Sequence, residues 1–177
     1  MGKGYGYTLP VLAAVLLAIV FTGCGSSKTV AGAGYAVDAA QPENEAGGGS
    51  YSADDLVKEA KKWLGTKYSY GGSSRKGTDC SGMVMMVFKD VCGIKLPRSS
   101  ASQQQYCKSI KRKELKAGDL VFFATGKNKK RVSHVGLYIG NDEIIHSTTR
   151  KGVIISNLDE KYYLRTFHSC GRVPALF

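Results

Sequence analysis

The spacing of apolar positions changes character along the chain. Leu9 to Phe21 is almost unbroken apolar sequence, whereas Gly25 to Ser50 is rich in Gly, Ala and Ser and shows no period. Leu56, Val57, Ala60, Trp63 and Leu64 then recur at helical spacing. Ser52 caps that helix, Asp54 and Asp55 place acids in its first turn, and Gly65 ends it. Thr66 to Gly77 reads as a Gly- and Ser-rich loop. A second helix starts near Asp79 or Cys80, buries Met83, Val84, Val87, Phe88 and Val91, and stops at Gly93. Four consecutive apolar side chains from Met83 to Met86 predict that it is covered on most sides. After a break at Leu96-Pro97-Arg98 and a short polar helix over Ala101–Tyr106, the period shifts to 2. Strands are predicted at Leu120–Phe123, Val132–Ile139, Glu143–His146 and Val153–Ile155, with a last one at Cys170–Val173. Gly140-Asn141-Asp142 is the turn of a hairpin, and Gly126 to Arg131 a basic loop. Helices first and antiparallel strands afterwards make the fold class α+β.

The two N-terminal segments change the organisation. The thirteen residues from Leu9 to Phe21 fall short of the roughly 20 that a spanning helix needs. With Lys3 ahead of them they read as a secretory signal. The residues before Cys24 resemble a bacterial lipobox, which implies cleavage after residue 23, a lipid on Cys24 and a membrane anchor. Residues 24–50 form a tether too poor in apolar surface to fold. The folded domain is expected over residues 51–177. Gly25 is not the aspartate of an inner-membrane retention signal, so the expected location is the outer membrane. In a cell without one, the outer face of the cytoplasmic membrane takes its place.

Charge narrows the partners. The chain carries 25 Lys+Arg against 14 Asp+Glu; without Lys3, Lys28, Asp38, Glu43 and Glu45 the domain keeps 23 against 11, a net +12. An exported, anchored domain rarely meets nucleic acid, so extracytoplasmic polyanions such as cell-wall carboxylates fit this balance better. General solubility is the plainer alternative. Of five cysteines, Cys24 and Cys80 have assignments of their own. Cys92, Cys107 and Cys170 are left, either as buried thiols or with one disulfide among them.

The chemistry centres on Cys80. A cysteine at a helix N-terminus is a candidate thiolate, because the unsatisfied N–H groups there favour negative charge. His134 is the candidate base: in a strand it shares a face with Gly136 and Tyr138, and Gly136 leaves room beside the imidazole. His146, one hairpin away, is the candidate for the group that orients it. A half-exposed His134 without function is the bland alternative. A Cys80/His134/His146 zinc set is another, although the spacing forms no compact ligand motif. His168 reads as a surface residue.

Six motifs then converge on one resemblance. They are Tyr68-Ser69-Tyr70-Gly71-Gly72, Asp79-Cys80-Ser81-Gly82, Leu96-Pro97-Arg98-Ser99, Gly118-Asp119-Leu120-Val121-Phe122-Phe123, His134-Val135-Gly136-Leu137-Tyr138-Ile139-Gly140 and Ile145-His146. In order and spacing they resemble the NlpC family of cell-wall cysteine peptidases over nearly all of residues 51–173. The resemblance implies a circularly rearranged papain-like fold, with the nucleophile helix packed on a small antiparallel β-barrel or sheet. It implies Cys80 as nucleophile, His134 as base, His146 as orienting residue and Tyr68 as a hydroxyl beside the oxyanion. Asp79 and Ser81 match positions that shape the substrate cleft, while Arg98 is equally well explained as a structural salt bridge. The implied substrates are peptidoglycan stem peptides, cut at a D-alanyl- or D-glutamyl-diaminopimelate bond. No cofactor is implied. A non-catalytic wall-binding lipoprotein and a related Cys–His amidase or acyltransferase are the competing classes.

Overall fold

The structure, a computed structural model, describes residues 51–174. The Leu9–Phe21 run, Cys24 and the tether to Ser50 lie outside the described residues.

Helix α1 (Ala53–Lys61) opens with the expected cap: Ser52 accepts from the Asp55 N–H while the Asp55 carboxylate accepts from the Ser52 N–H. Its buried face carries Leu56 and Ala60. The helix ends earlier than the apolar spacing suggests, in a run of turns over residues 62–65. Leu64, expected in the core, is therefore 43% exposed. A small hairpin of β1 (Ser73–Ser74) and β2 (Gly77–Thr78) follows, then α2 (Cys80–Cys92). Met83, Val84, Val87 and Phe88 of α2 are fully buried, with Met85, Met86 and Val91 packed at the margin. Gly93 closes the helix in the left-handed region at φ 69°, where a side chain would be strained.

Helix α3 (Ser100–Tyr106) leads into β3 (Lys108–Ile110), a strand the alternation did not predict. The remaining strands are β4 (Leu120–Phe123), β5 (His134–Gly140), β6 (Glu143–Thr148), β7 (Gly152–Asn157) and β8 (Phe167–Arg172), with a short α4 (Lys161–Thr166) before β8. Sheet order is β3-β8-β4-β5-β6-β7, antiparallel throughout. The sheet is open, with β3 and β7 at its edges, so the barrel alternative does not hold. Between β5 and β6, Asn141 and Asp142 take φ values of 53° and 54°, as a tight hairpin turn demands.

Both faces of the sheet are covered. Leu120, Phe122, Val135, Leu137 and Ile145 pack against α1 and α2. Val121, Phe123, Tyr138, Ile144 and Cys170 face the other way, onto Leu158 and Tyr163. Two-sided burial explains why Leu120–Phe123 is apolar at every position. It also means that the His134 face lies under a second, smaller core. The four described cysteines are free thiols, so the disulfide alternative is not realised among Cys92, Cys107 and Cys170. Burial pushes the Cys92 thiol up to about 11 and those of Cys107 and Cys170 up to about 12, which keeps all three protonated.

Gly82 sets how closely α2 approaches the preceding loop. A Cβ there would overlap the Gly72 carbonyl oxygen, a backbone atom that cannot rotate away. Gly82→Ala is expected to destabilise the domain by about 1–3 kcal/mol, read as a lower midpoint in urea denaturation.

Candidate active site

The first turn of α2 is pinned by Asp79. Its Oδ1 accepts from the Gly82 N–H at 2.7 Å, which makes it the helix N-cap. Its Oδ2 accepts from the Gly71 N–H at 2.9 Å, and Arg98 grips both oxygens, at 3.0 and 2.7 Å. Burial alone would raise the Asp79 carboxyl, but Arg98 and these N–H donors hold it below the usual value. Arg98 also donates to Ser81 Oγ and to the Gly72 carbonyl. Asp79 and Ser81 do line a groove beside Cys80, as does Arg98. Their bonds to one another nonetheless make them the scaffold of the helix start.

Cys80 stands at that start, half-buried, where two cavities of about 620 and 710 Å³ meet; Tyr68 and Ser133 line both as well. Tyr68 is positioned by its bridge to Thr78, two residues before Cys80. Burial, together with the Cys80 sulfur when ionised and the Asp79 charge, raises its hydroxyl above the usual phenol value, so it remains a donor. One cavity runs past Tyr70, Arg98, Lys127 and Arg131, the other past His134, His146, Arg150 and Lys151. The positive charge read from composition thus flanks Cys80 on both sides.

The expected lowering of the Cys80 thiol is not what the site produces. Burial raises it and the Asp79 charge adds to that. The N–H groups of Val135, Ser81 and Cys80 itself oppose the shift without overturning it. Burial also pushes His134 down to about 4 and, helped by the neighbouring imidazole, His146 down to about 3. At rest the site therefore holds a thiol and neutral imidazoles.

The two histidines are joined as the hairpin pattern suggested. His134 Nε2 and His146 Nδ1 lie 2.7 Å apart, with the rings edge to face. A Cβ on Gly136 would meet the Ile144 side chain first, at 3.0 and 3.2 Å, and His146 Cβ at 3.3 Å, so the glycine makes room for the neighbouring strand β6. His146 is 1% exposed. Its far nitrogen, Nε2, lies 3.0 Å from Ser156 Oγ and 3.2 Å from Tyr163 Oη, and the Tyr163 hydroxyl donates to Ser156 Oγ at 3.0 Å.

Residues 65–172 match the NlpC/P60 family. The chain belongs to that family. A probable endopeptidase NlpC homolog from Haemophilus influenzae is 46% identical over 118 residues, which is 67% of this chain and 61% of that protein. Murein DD-endopeptidase MepS/Murein LD-carboxypeptidase of Escherichia coli (strain K12) is 34% identical across 94% of this chain and 93% of its own length. A crystal structure of an NlpC/P60 family protein from Bacillus cereus ATCC 10987 shares the fold at a TM-score of 0.67 and 35% identity. That match covers 71% of this chain and 41% of the Bacillus chain. The chain thus spans less than two thirds of the Haemophilus and Bacillus relatives.

Tyr68, Cys80, His134 and His146, the residues that the family resemblance implies for the reaction, line one cavity. His168 lies apart on β8, half-buried, bonded to Ser169. No group of three or more His, Cys, Asp or Glu among the described residues is arranged to hold a metal. In particular, the facing nitrogens of His134 and His146 address each other. Ser156 and Tyr163 were missed. Ser156 carried a signal, since the β6–β7 register pairs it with Ile144, diagonal to His146. Tyr163 lies on a helix of one and a half turns that no periodicity marks.

Both histidines bind protons more weakly folded than unfolded. The stability they contribute is complete above the unfolded value of about 6.5 and is lost as pH falls toward about 4 for His134 and about 3 for His146. Urea titrations between pH 7 and 4.5 should show stability falling by as much as about 1.4 kcal/mol per pH unit for each histidine. Replacing both by Gln should flatten that dependence; an unchanged slope would contradict the buried neutral pair.

Proposed function

We propose that this chain is a cysteine peptidase that hydrolyses amide bonds in peptidoglycan stem peptides, held at a membrane by a lipid on Cys24. The observation that carries the proposal is the opening of Cys80, at the N-terminus of α2, into one cavity with the hydrogen-bonded His134–His146 pair. Membership of the family, and the murein endopeptidase named among its relatives, support the reaction class and the polymer.

The reaction follows from which ring nitrogen of His134 faces His146. His134 Nε2 faces His146, which leaves Nδ1 to take the Cys80 proton as the sulfur attacks the scissile carbonyl. A neutral imidazole is the right starting state, because an imidazolium has no lone pair to receive that proton. The oxyanion is met by the Cys80 N–H at the helix start and by the Tyr68 hydroxyl. As the tetrahedral adduct collapses, the C–N bond breaks and the leaving amine takes the proton from His134. Water then gives a proton to His134 and attacks the thioester, and the departing sulfur recovers that proton.

The basic walls, Lys127 and Arg131 on one side and Arg150 and Lys151 on the other, suit the free carboxylates of stem peptides. The D-alanyl-diaminopimelate crosslink is the favoured bond, by the likeness to the Escherichia coli protein; the D-glutamyl-diaminopimelate bond is the other. The apolar run ending before Cys24 supports export and acylation, and Gly25 supports delivery to an outer membrane where the cell has one.

Digestion of purified muropeptides with the full chain, followed by mass spectrometry, tests the reading. Wild type should release stem-peptide fragments. Cys80→Ala and His134→Ala should each be at least about a thousandfold slower. Identical products from wild type and Cys80→Ala would end the proposal. Retention of muropeptides without cleavage would favour a wall-binding protein, and transfer of the acyl group to an added amine a transferase.

A further inference from the structure

The hydrogen-bonded chain behind His146 is longer than the reaction needs, and its direction decides whether His134 can act. A neutral imidazole carries one proton, on one nitrogen. For His134 Nδ1 to accept from the thiol, His134 must be protonated at Nε2 and donate to His146 Nδ1. His146 must then carry its own proton on Nε2. In the opposite tautomer, His146 Nδ1–H donates to His134 Nε2, and the His134 proton sits on Nδ1, the atom that has to be empty. The 2.7 Å His134–His146 bond is compatible with both arrangements. The choice falls to whatever surrounds His146 Nε2.

Two hydroxyls surround it. Tyr163 Oη lies 3.2 Å from His146 Nε2, close enough to donate to it and impose the unproductive tautomer. Its proton is committed elsewhere, to Ser156 Oγ at 3.0 Å. Ser156 Oγ also lies 3.0 Å from His146 Nε2, and as an acceptor it draws the imidazole proton to that nitrogen. All three groups are buried, at 1% exposure for His146 and 7% for Ser156 and Tyr163, although they border the cavity beside Cys80.

We infer that Ser156 is a positioning residue that sets the catalytic tautomer, by accepting from His146 Nε2–H while holding the Tyr163 hydroxyl proton away from that nitrogen. The inference rests on the thiol reaction proposed above. It makes Tyr163 a conditional antagonist. With Ser156 present its hydroxyl completes the network, and without Ser156 it turns on His146. Removing the Tyr163 hydroxyl should therefore restore rate to a chain that already lacks Ser156, which the loss of an ordinary packing partner would not do.

The test combines a double-mutant cycle with ring-nitrogen NMR on the full chain. Ser156→Ala should lower kcat by about 10- to 100-fold, and slow alkylation of Cys80 by iodoacetamide, mapped by peptide mass spectrometry. Tyr163→Phe alone should cost a few-fold. The double variant Ser156→Ala/Tyr163→Phe should be faster than Ser156→Ala, and Ser156→Thr, which keeps the hydroxyl, should retain most activity. Long-range 15N–1H spectra should show both imidazoles protonated at Nε2 in wild type and at Nδ1 in Ser156→Ala. A double variant as slow as Ser156→Ala or slower, or a wild-type His146 protonated at Nδ1, would overturn the inference. The wild-type spectrum decides even if Ser156→Ala fails to fold. The spectra and the alkylation rates involve no substrate, so a chain that shows them and cleaves no muropeptide fails as a hydrolase without failing here.

Discussion

Asp79 keeps a carboxylate almost out of water at the residue before Cys80, and the rest of the site is arranged around that charge. A buried carboxylate is tolerable only when its lone pairs are filled. Here the Gly82 and Gly71 N–H groups and both Arg98 terminal nitrogens fill them. The same bonds tie three separate pieces of chain to one point: the start of α2, the Tyr68–Gly72 loop and the segment entering α3. Because the loop is tied, Tyr68 and Cys80 border the same cavities. Because Gly82 lacks a side chain, the helix and the Gly72 carbonyl can close onto each other. The negative charge has a consequence for chemistry as well, since it adds to burial in opposing ionisation of the neighbouring thiol.

The second constraint is dryness on the far side of the sheet. On the strand face that carries the two histidines, the Phe123 ring packs against His134 and the Tyr163 ring against His146. Charged imidazoles are disfavoured there, so both stay neutral. The resulting resting state is a neutral thiol beside neutral imidazoles. Burying His146 also confines that ring to hydrogen bonds that the protein itself provides. Hydroxyls several bonds from the sulfur thereby gain influence over the reaction.

Legibility in the sequence followed range. Features carried by local pattern were readable: the Ser52 cap, the buried stripe of α2, the hairpin at Asn141-Asp142, and the face that His134 shares with Gly136. The motifs placed Cys80, His134, His146 and Tyr68 together. What failed depended on distant packing. Three-residue β3 and six-residue α4 are held by neighbours rather than by their own periodicity. Leu64 fits a helix face that stops one turn too early to use it. The thiolate expectation weighed the helix N-terminus without the burial that opposes it, and burial is a property of the assembled fold. Arg98 was readable only as a residue with two explanations, and its grip on Asp79 makes the structural one concrete.

The proposed function passes through one covalent event, acylation of Cys80 Sγ by the stem peptide. Acid-quenching the full chain during turnover of muropeptides and measuring its intact mass captures that event directly. The account predicts an adduct that maps to Cys80, is released by hydroxylamine as a thioester should be, and has the mass of the acyl side of the cleaved bond. Steady product formation with no adduct on Cys80, or with the adduct on another residue, would contradict it.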